Sequence, residues 1–96
     1  MKVLASNESA SKEECGFSKV VEFENGKKFK ITQDTGNCYS RTFVYVMLPD
    51  CSWAKVADGY DIGAVGINYI VSEERKREAM KVIYNMAIEY IKAVFL

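Results

Sequence analysis

Histidine is absent from this 96-residue chain, and proline occurs once. Without an imidazole the chain lacks the commonest general base and the commonest zinc ligand. Neither sign of charge prevails: 13 Lys plus Arg stand against 13 Asp plus Glu, a formal net charge of zero. Proteins that grip nucleic acid or anionic membranes draw their affinity from an excess of Lys and Arg, so a generic binder of either kind is disfavoured. No apolar run approaches the ~20 residues that a membrane-spanning helix needs. The opening Met1-Lys2-Val3-Leu4-Ala5 turns polar at Ser6, Asn7 and Glu8. A secretory signal needs an apolar stretch of roughly 7–15 residues, so none is expected there.

Cysteine is scarce and odd in number. Cys15, Cys38 and Cys51 are too widely spaced for a disulfide framework, and zinc would want C-x-x-C pairs or added histidines. Free thiols in a reducing cytoplasm are the expectation. No nucleophile elbow, phosphate-binding loop ending in G-K-[ST] or H-E-x-x-H helix occurs, and a thiol nucleophile would lack its usual base. Gly63-Ala64-Val65-Gly66 lacks the spacing of a dinucleotide or phosphate cradle. No cofactor is expected.

What is present argues for a folded chain. Hydrophobic residues make up 49% of it, and a disordered chain cannot bury enough apolar area to offset its ordering entropy. The length suits one domain over residues 1–96, because two would each fall below the size at which a core holds unaided. Residues 1–16 read as a weakly structured lead-in. Val3-Leu4-Ala5 could add a short strand, and the following Ser-, Glu- and Lys-rich stretch reads as linker or short helix. Within it Ser11-Lys12-Glu13-Glu14 fits a capping box.

Residues 17–71 read as a sheet. A hairpin turns at Asn25-Gly26. A two-residue turn would set Phe29 opposite Glu22, mixing apolar and charged groups on both faces. A three-residue loop, Glu24-Asn25-Gly26, with glycine left-handed, instead sets Val21 opposite Phe29 and Glu22 opposite Lys28. One face then carries Val21, Phe23, Phe29 and Ile31, and the other carries Val20, Glu22, Lys28 and Lys30. A one-residue slip would flip the whole set, so the sorted register is predicted. Residues 33–37 read as a turn, and residues 39–48 as a central strand covered on two sides. Pro49-Asp50-Cys51-Ser52 is a second turn, and residues 53–57 a further strand whose register leaves the direction of Trp53 open. Residues 58–61 read as a loop, and residues 63–71 fit a strand despite their glycines.

Residues 72–96 hold the clearest element. Ser72 caps a helix whose first residues are Glu73 and Glu74, favourable at the positive end of the dipole. The expected fold class is α+β: a single antiparallel sheet of four or five strands, with one long C-terminal helix packed on one face. The apolar arc of the helix spans roughly 200°, wider than the ~100° stripe that one sheet covers. Its surplus edge, Tyr84, Ile88 and Phe95, suggests a homodimer through that edge.

Candidate sites follow from residue type. Asp58 and Asp61, with Glu73 or Glu74, could hold a hard cation or do acid–base work, against the plainer reading of an acidic turn. Arg75-Lys76-Arg77 and the hairpin lysines are flanked by glutamates and read as solvated charged faces, so nucleic acid is an unlikely partner. Aromatics are plentiful, with 6 tyrosines, 5 phenylalanines and 1 tryptophan. Tyr, Trp and Arg anchor protein interfaces, which singles out Tyr39, Arg41, Trp53, Tyr60 and Asp61 as partner-binding candidates. The first expectation is a small non-enzymatic protein-binding module acting by steric occupation. An inhibitor carried by a mobile element against a host defence nuclease or a toxin is one instance. The alternative is a ligand-binding or metal-dependent enzyme domain using Asp58 and Asp61.

Overall fold

The computed structural model describes residues 1–10, 15–35, 40–63 and 72–96. Five strands, β1 (Lys2–Ala10), β2 (Cys15–Glu22), β3 (Lys28–Thr35), β4 (Ser40–Met47) and β5 (Trp53–Asp58), form one sheet in chain order. Every neighbouring pair is antiparallel. A one-turn helix α1 (Gly59–Ile62) and a long helix α2 (Glu73–Phe95) follow. The architecture is α+β, as the sequence implies.

The first tight hairpin has the register that charge sorting requires. Val21 pairs with Phe29 and Glu22 with Lys28. The loop Glu24-Asn25-Gly26 closes through Phe23 N–H to the Lys27 carbonyl at 3.0 Å, with Gly26 at φ 83°. Val21, Phe29 and Ile31 are fully buried, and Phe23 nearly so. Gly16 sits where β2 runs close to β3: a Cβ there would lie 2.3 Å from the Gln33 carbonyl oxygen.

The core forms where α2 lies on this face. The helix buries Ala79, Met80, Ile83, Ala87, Ile88 and Ile91 against Phe17, Val21, Phe29, Ile31 and Val44. Ser72 is its N-cap, accepting from the Arg75 N–H, and Glu74, Glu78, Lys81, Asn85, Glu89 and Lys92 face water. The surplus apolar edge is absorbed within the chain. Ile88 is 6% exposed, the Tyr84 ring meets Phe17 edge-on, and Phe95 packs on Phe29 and Tyr90. Tyr84 and Phe95 stay half-buried at that edge.

Several expectations are corrected. The polar stretch after Ala5 is neither linker nor short helix up to Ala10, but the second half of β1. That strand lies at the sheet's edge and is exposed along most of its length. Edge pairing to β2 supports it without an apolar stripe of its own. Residues 33–35 extend β3 rather than turning. Residues 58–61 are not a plain loop, because Asp58 caps α1. Lys76 is not part of a solvated run: it lies on the buried side of α2, in line with Ala79 and Met80, and is 5% exposed. The strand within residues 39–48 is interior in the sheet, but among the described residues only one of its faces is covered by helix. The capping box at Ser11, the strand expected after Gly63 and the thiol of Cys38 lie outside the described residues.

A salt-bridged strap ties helix to sheet. Glu8 of β1 points to the helix side and meets Arg77 at 2.9 Å and Lys19 at 3.9 Å. Lys19 in turn lies 4.7 Å from the centroid of the Tyr84 ring.

Candidate binding face of the sheet

Strand registers decide which side chains share the face away from α2. Lys30 pairs with Tyr45, and Tyr45 pairs with Lys55. Met47 pairs with Trp53, and Thr32 pairs with Phe43. A shift between Val44 and Tyr45 resets the β4–β5 register, so Val44 pairs with Ala57 while Tyr45 pairs with Lys55. That shift lets Ala57 join Val44 in the core while Lys55 and Trp53 join Tyr45 and Met47 on the opposite side.

Phe43, Tyr45, Met47 and Trp53 stand apart from the core and are half-buried. Lysine ammonium groups lie over three of them. The Lys30 Nζ lies 4.7 Å from the Tyr45 ring centroid and 5.2 Å from that of Trp53. The Lys55 Nζ lies 5.1 Å from the Phe43 centroid. Phe43 and Tyr45 are tilted against each other with centroids 6.3 Å apart. Among the described residues no helix packs over this cluster: α1 contacts α2 and lends Ile62 to the core on the other side.

The sequence-selected residues do not converge on one spot. Arg41 and Trp53 share this open face but lie about 20 Å apart at ~3.3 Å per residue, because Trp53 of β5 pairs with Met47 at the far end of β4. Tyr60 sits on α1 and is fully exposed at 101%. Asp61 is spent on local structure, accepting from the Asp58 N–H at 2.9 Å while Asp58 accepts from the Tyr60 N–H at 2.8 Å. Tyr39 lies outside the described residues. Reading by residue type missed Phe43, Tyr45, Met47, Lys30 and Lys55. The alternation along residues 41–47 was the available signal, and the β4–β5 register was what it lacked.

The acidic pair makes no cation cage. Both carboxylates of the capping box face amides of their own turn, and among the described residues no group of three or more potential ligands converges. Cys15 is a buried free thiol and Cys51 an exposed one. Among the described residues, no helix is long and apolar enough to cross a membrane. Comparison with known proteins finds no matching family model, no matching curated protein and no matching solved structure.

Proposed function

We propose that this chain is a non-enzymatic binding protein that lays the open face of its sheet against another protein and acts by occupying that partner's surface. The observation that carries this reading is the cluster of Phe43, Tyr45, Met47 and Trp53, which belongs to no core and lies on the side away from both helices. Aromatic side chains and Met are enriched in interface centres, where large rigid groups bury area at low entropic cost. An inhibitor carried by a mobile element, directed at a host nuclease or a toxin, suits the same small, motif-free build. The free thiols of Cys15 and Cys51 suit a reducing compartment such as the cytoplasm. The enzyme alternative finds no support in Asp58 and Asp61, whose oxygens are used by backbone amides.

The test replaces Tyr45 with benzoylphenylalanine in the cell that makes the protein, with Asn85 on the exposed face of α2 as the control position. A discrete cross-linked protein from position 45 and none from position 85 is expected. Equal products from both positions, or none from 45, would overturn the assignment of the face.

A further inference from the structure

We infer that the partner meets this face with carboxylates, so that the ligand is an acidic protein segment; the inference rests on the open face being the docking surface. Lys30 and Lys55 carry it. Both ammonium groups are held over aromatic rings, and among the described residues neither reaches a carboxylate. Their neighbour Lys28 differs, with its Nζ 3.9 Å from Glu22. Lys30, Tyr45 and Lys55 form one row across three strands. At ~4.8 Å per strand spacing, the two lysines stem from backbones about 10 Å apart. The face thus offers two cations seated over aromatic rings, on strands either side of Tyr45, and among the described residues no carboxylate belongs to that row. Glutamate or aspartate side chains supply what is missing.

The same geometry disfavours single-stranded nucleic acid. Bases stack on open aromatic faces, and here Lys30 and Lys55 already lie over those rings. Glu22 and Asp34 share the sheet face with the lysines, in register with Lys28 and Gly16, and would repel a continuous phosphate track. The chain's net charge of zero supplies no compensating field.

The experiment titrates the isotope-labelled chain with polyglutamate, with polyglutamine of equal length and with oligodeoxythymidine, and reads the amides of β3 to β5 and the Trp53 indole by NMR. Polyglutamate should shift those signals and polyglutamine should not, and Lys30→Gln with Lys55→Gln should weaken the binding at least ten-fold. Absence of polyglutamate shifts, equal binding by the double variant, or tighter binding of the oligonucleotide at the same residues would each overturn the inference. A second arm repeats the cross-linking with a probe at Thr32, comparing Tyr45→Ala/Trp53→Ala with Lys30→Gln/Lys55→Gln. Loss of the product in both variants supports the acidic partner. Loss in the aromatic variant alone leaves the docking face standing and sinks the acidic partner, and loss in neither sinks both. All four positions lie outside the core, and unchanged thermal melts will verify that each variant folds.

Discussion

Replacing Cys51 with glycine should stabilise the protein, and replacing Gly26 with alanine should destabilise it, for one shared reason. The chain makes the same loop twice. In the first, Phe23 N–H bonds the Lys27 carbonyl at 3.0 Å and Gly26 N–H bonds the Phe23 carbonyl at 2.9 Å. In the second, Leu48 N–H bonds the Ser52 carbonyl at 2.9 Å and Cys51 N–H bonds the Leu48 carbonyl at 2.9 Å. Asn25 and Asp50 hold equivalent places, each accepting from the amide two residues on, Lys27 and Ser52, at 3.0 Å. The third loop position is left-handed in both, φ 83° at Gly26 and φ 67° at Cys51. Glycine takes that conformation freely, whereas a Cβ there costs ~1–2 kcal/mol. Against this, glycine gives the unfolded chain extra freedom worth roughly 0.5–1 kcal/mol. The balance for Cys51→Gly is a gain of about 0.5–1 kcal/mol, or a rise in Tm of about 3–6 °C for a domain of this size. Gly26→Ala should lose about 0.5–1 kcal/mol by the same balance in reverse, with no steric addition, because an added Cβ meets nothing within 4 Å. Urea and thermal unfolding under reducing conditions measure both, with Cys51→Ala as the control that removes the thiol but keeps the Cβ. A Cys51→Gly protein no more stable than Cys51→Ala would refute the reasoning.

Further outcomes are expected at Tyr84 and Asp58. The Tyr84 hydroxyl is buried and has no hydrogen-bond partner among the described residues, and burial holds its pKa above the usual phenol value. Tyr84→Phe should therefore raise stability by about 1 kcal/mol near neutrality. The folded state keeps the phenol proton more tightly than the unfolded state does. Wild-type stability should thus fall as pH rises through ~10, and the variant should lose part of that slope, measured by denaturation at alkaline pH. Asp58→Ala should cost about 1 kcal/mol through the lost cap of α1. Calcium or magnesium should leave the wild-type melting point unmoved, and a rise that Asp58→Ala abolishes would restore the metal-binding reading.

Legibility in the sequence tracked how many physical constraints converged on a segment. The β2–β3 hairpin was readable because face sorting, cross-strand charge pairing and a glycine at the left-handed position agreed on one register. Helix α2 was readable because Ser72, Glu73 and Glu74 set its start and Glu74, Glu78, Lys81, Asn85, Glu89 and Lys92 fell on one side. Lys76 escaped because a charge within a basic run looks solvated, although its spacing to Ala79 and Met80 places it on the buried stripe. The second half of β1 escaped for the opposite reason: an edge strand exposed on most of its length shows no apolar alternation, and only its pairing with β2 reveals it. Half of the proposed binding face was legible. Arg41, Phe43, Tyr45 and Met47 fall on one side of a strand by simple alternation, but the register shift opposite Val44 and Tyr45 breaks the period needed to bring Trp53 and Lys55 beside them. The three-residue spacing of Asp58 and Asp61 was a capping signature that proximity of two acids disguised.

The strap through Glu8 has a consequence for solubility. β1 ends the sheet with its outer rim of amides and carbonyls unmatched among the described residues, an invitation to strands of other molecules. The irregularity between Val3 and Ala5 distorts one half of that rim. In the other half, the Glu8 carboxylate is anchored beneath the helix by Arg77, so an incoming strand would have to pack its own side chains beside an ion pair. A tether that fastens the helix thereby doubles as a guard against growth into ribbons.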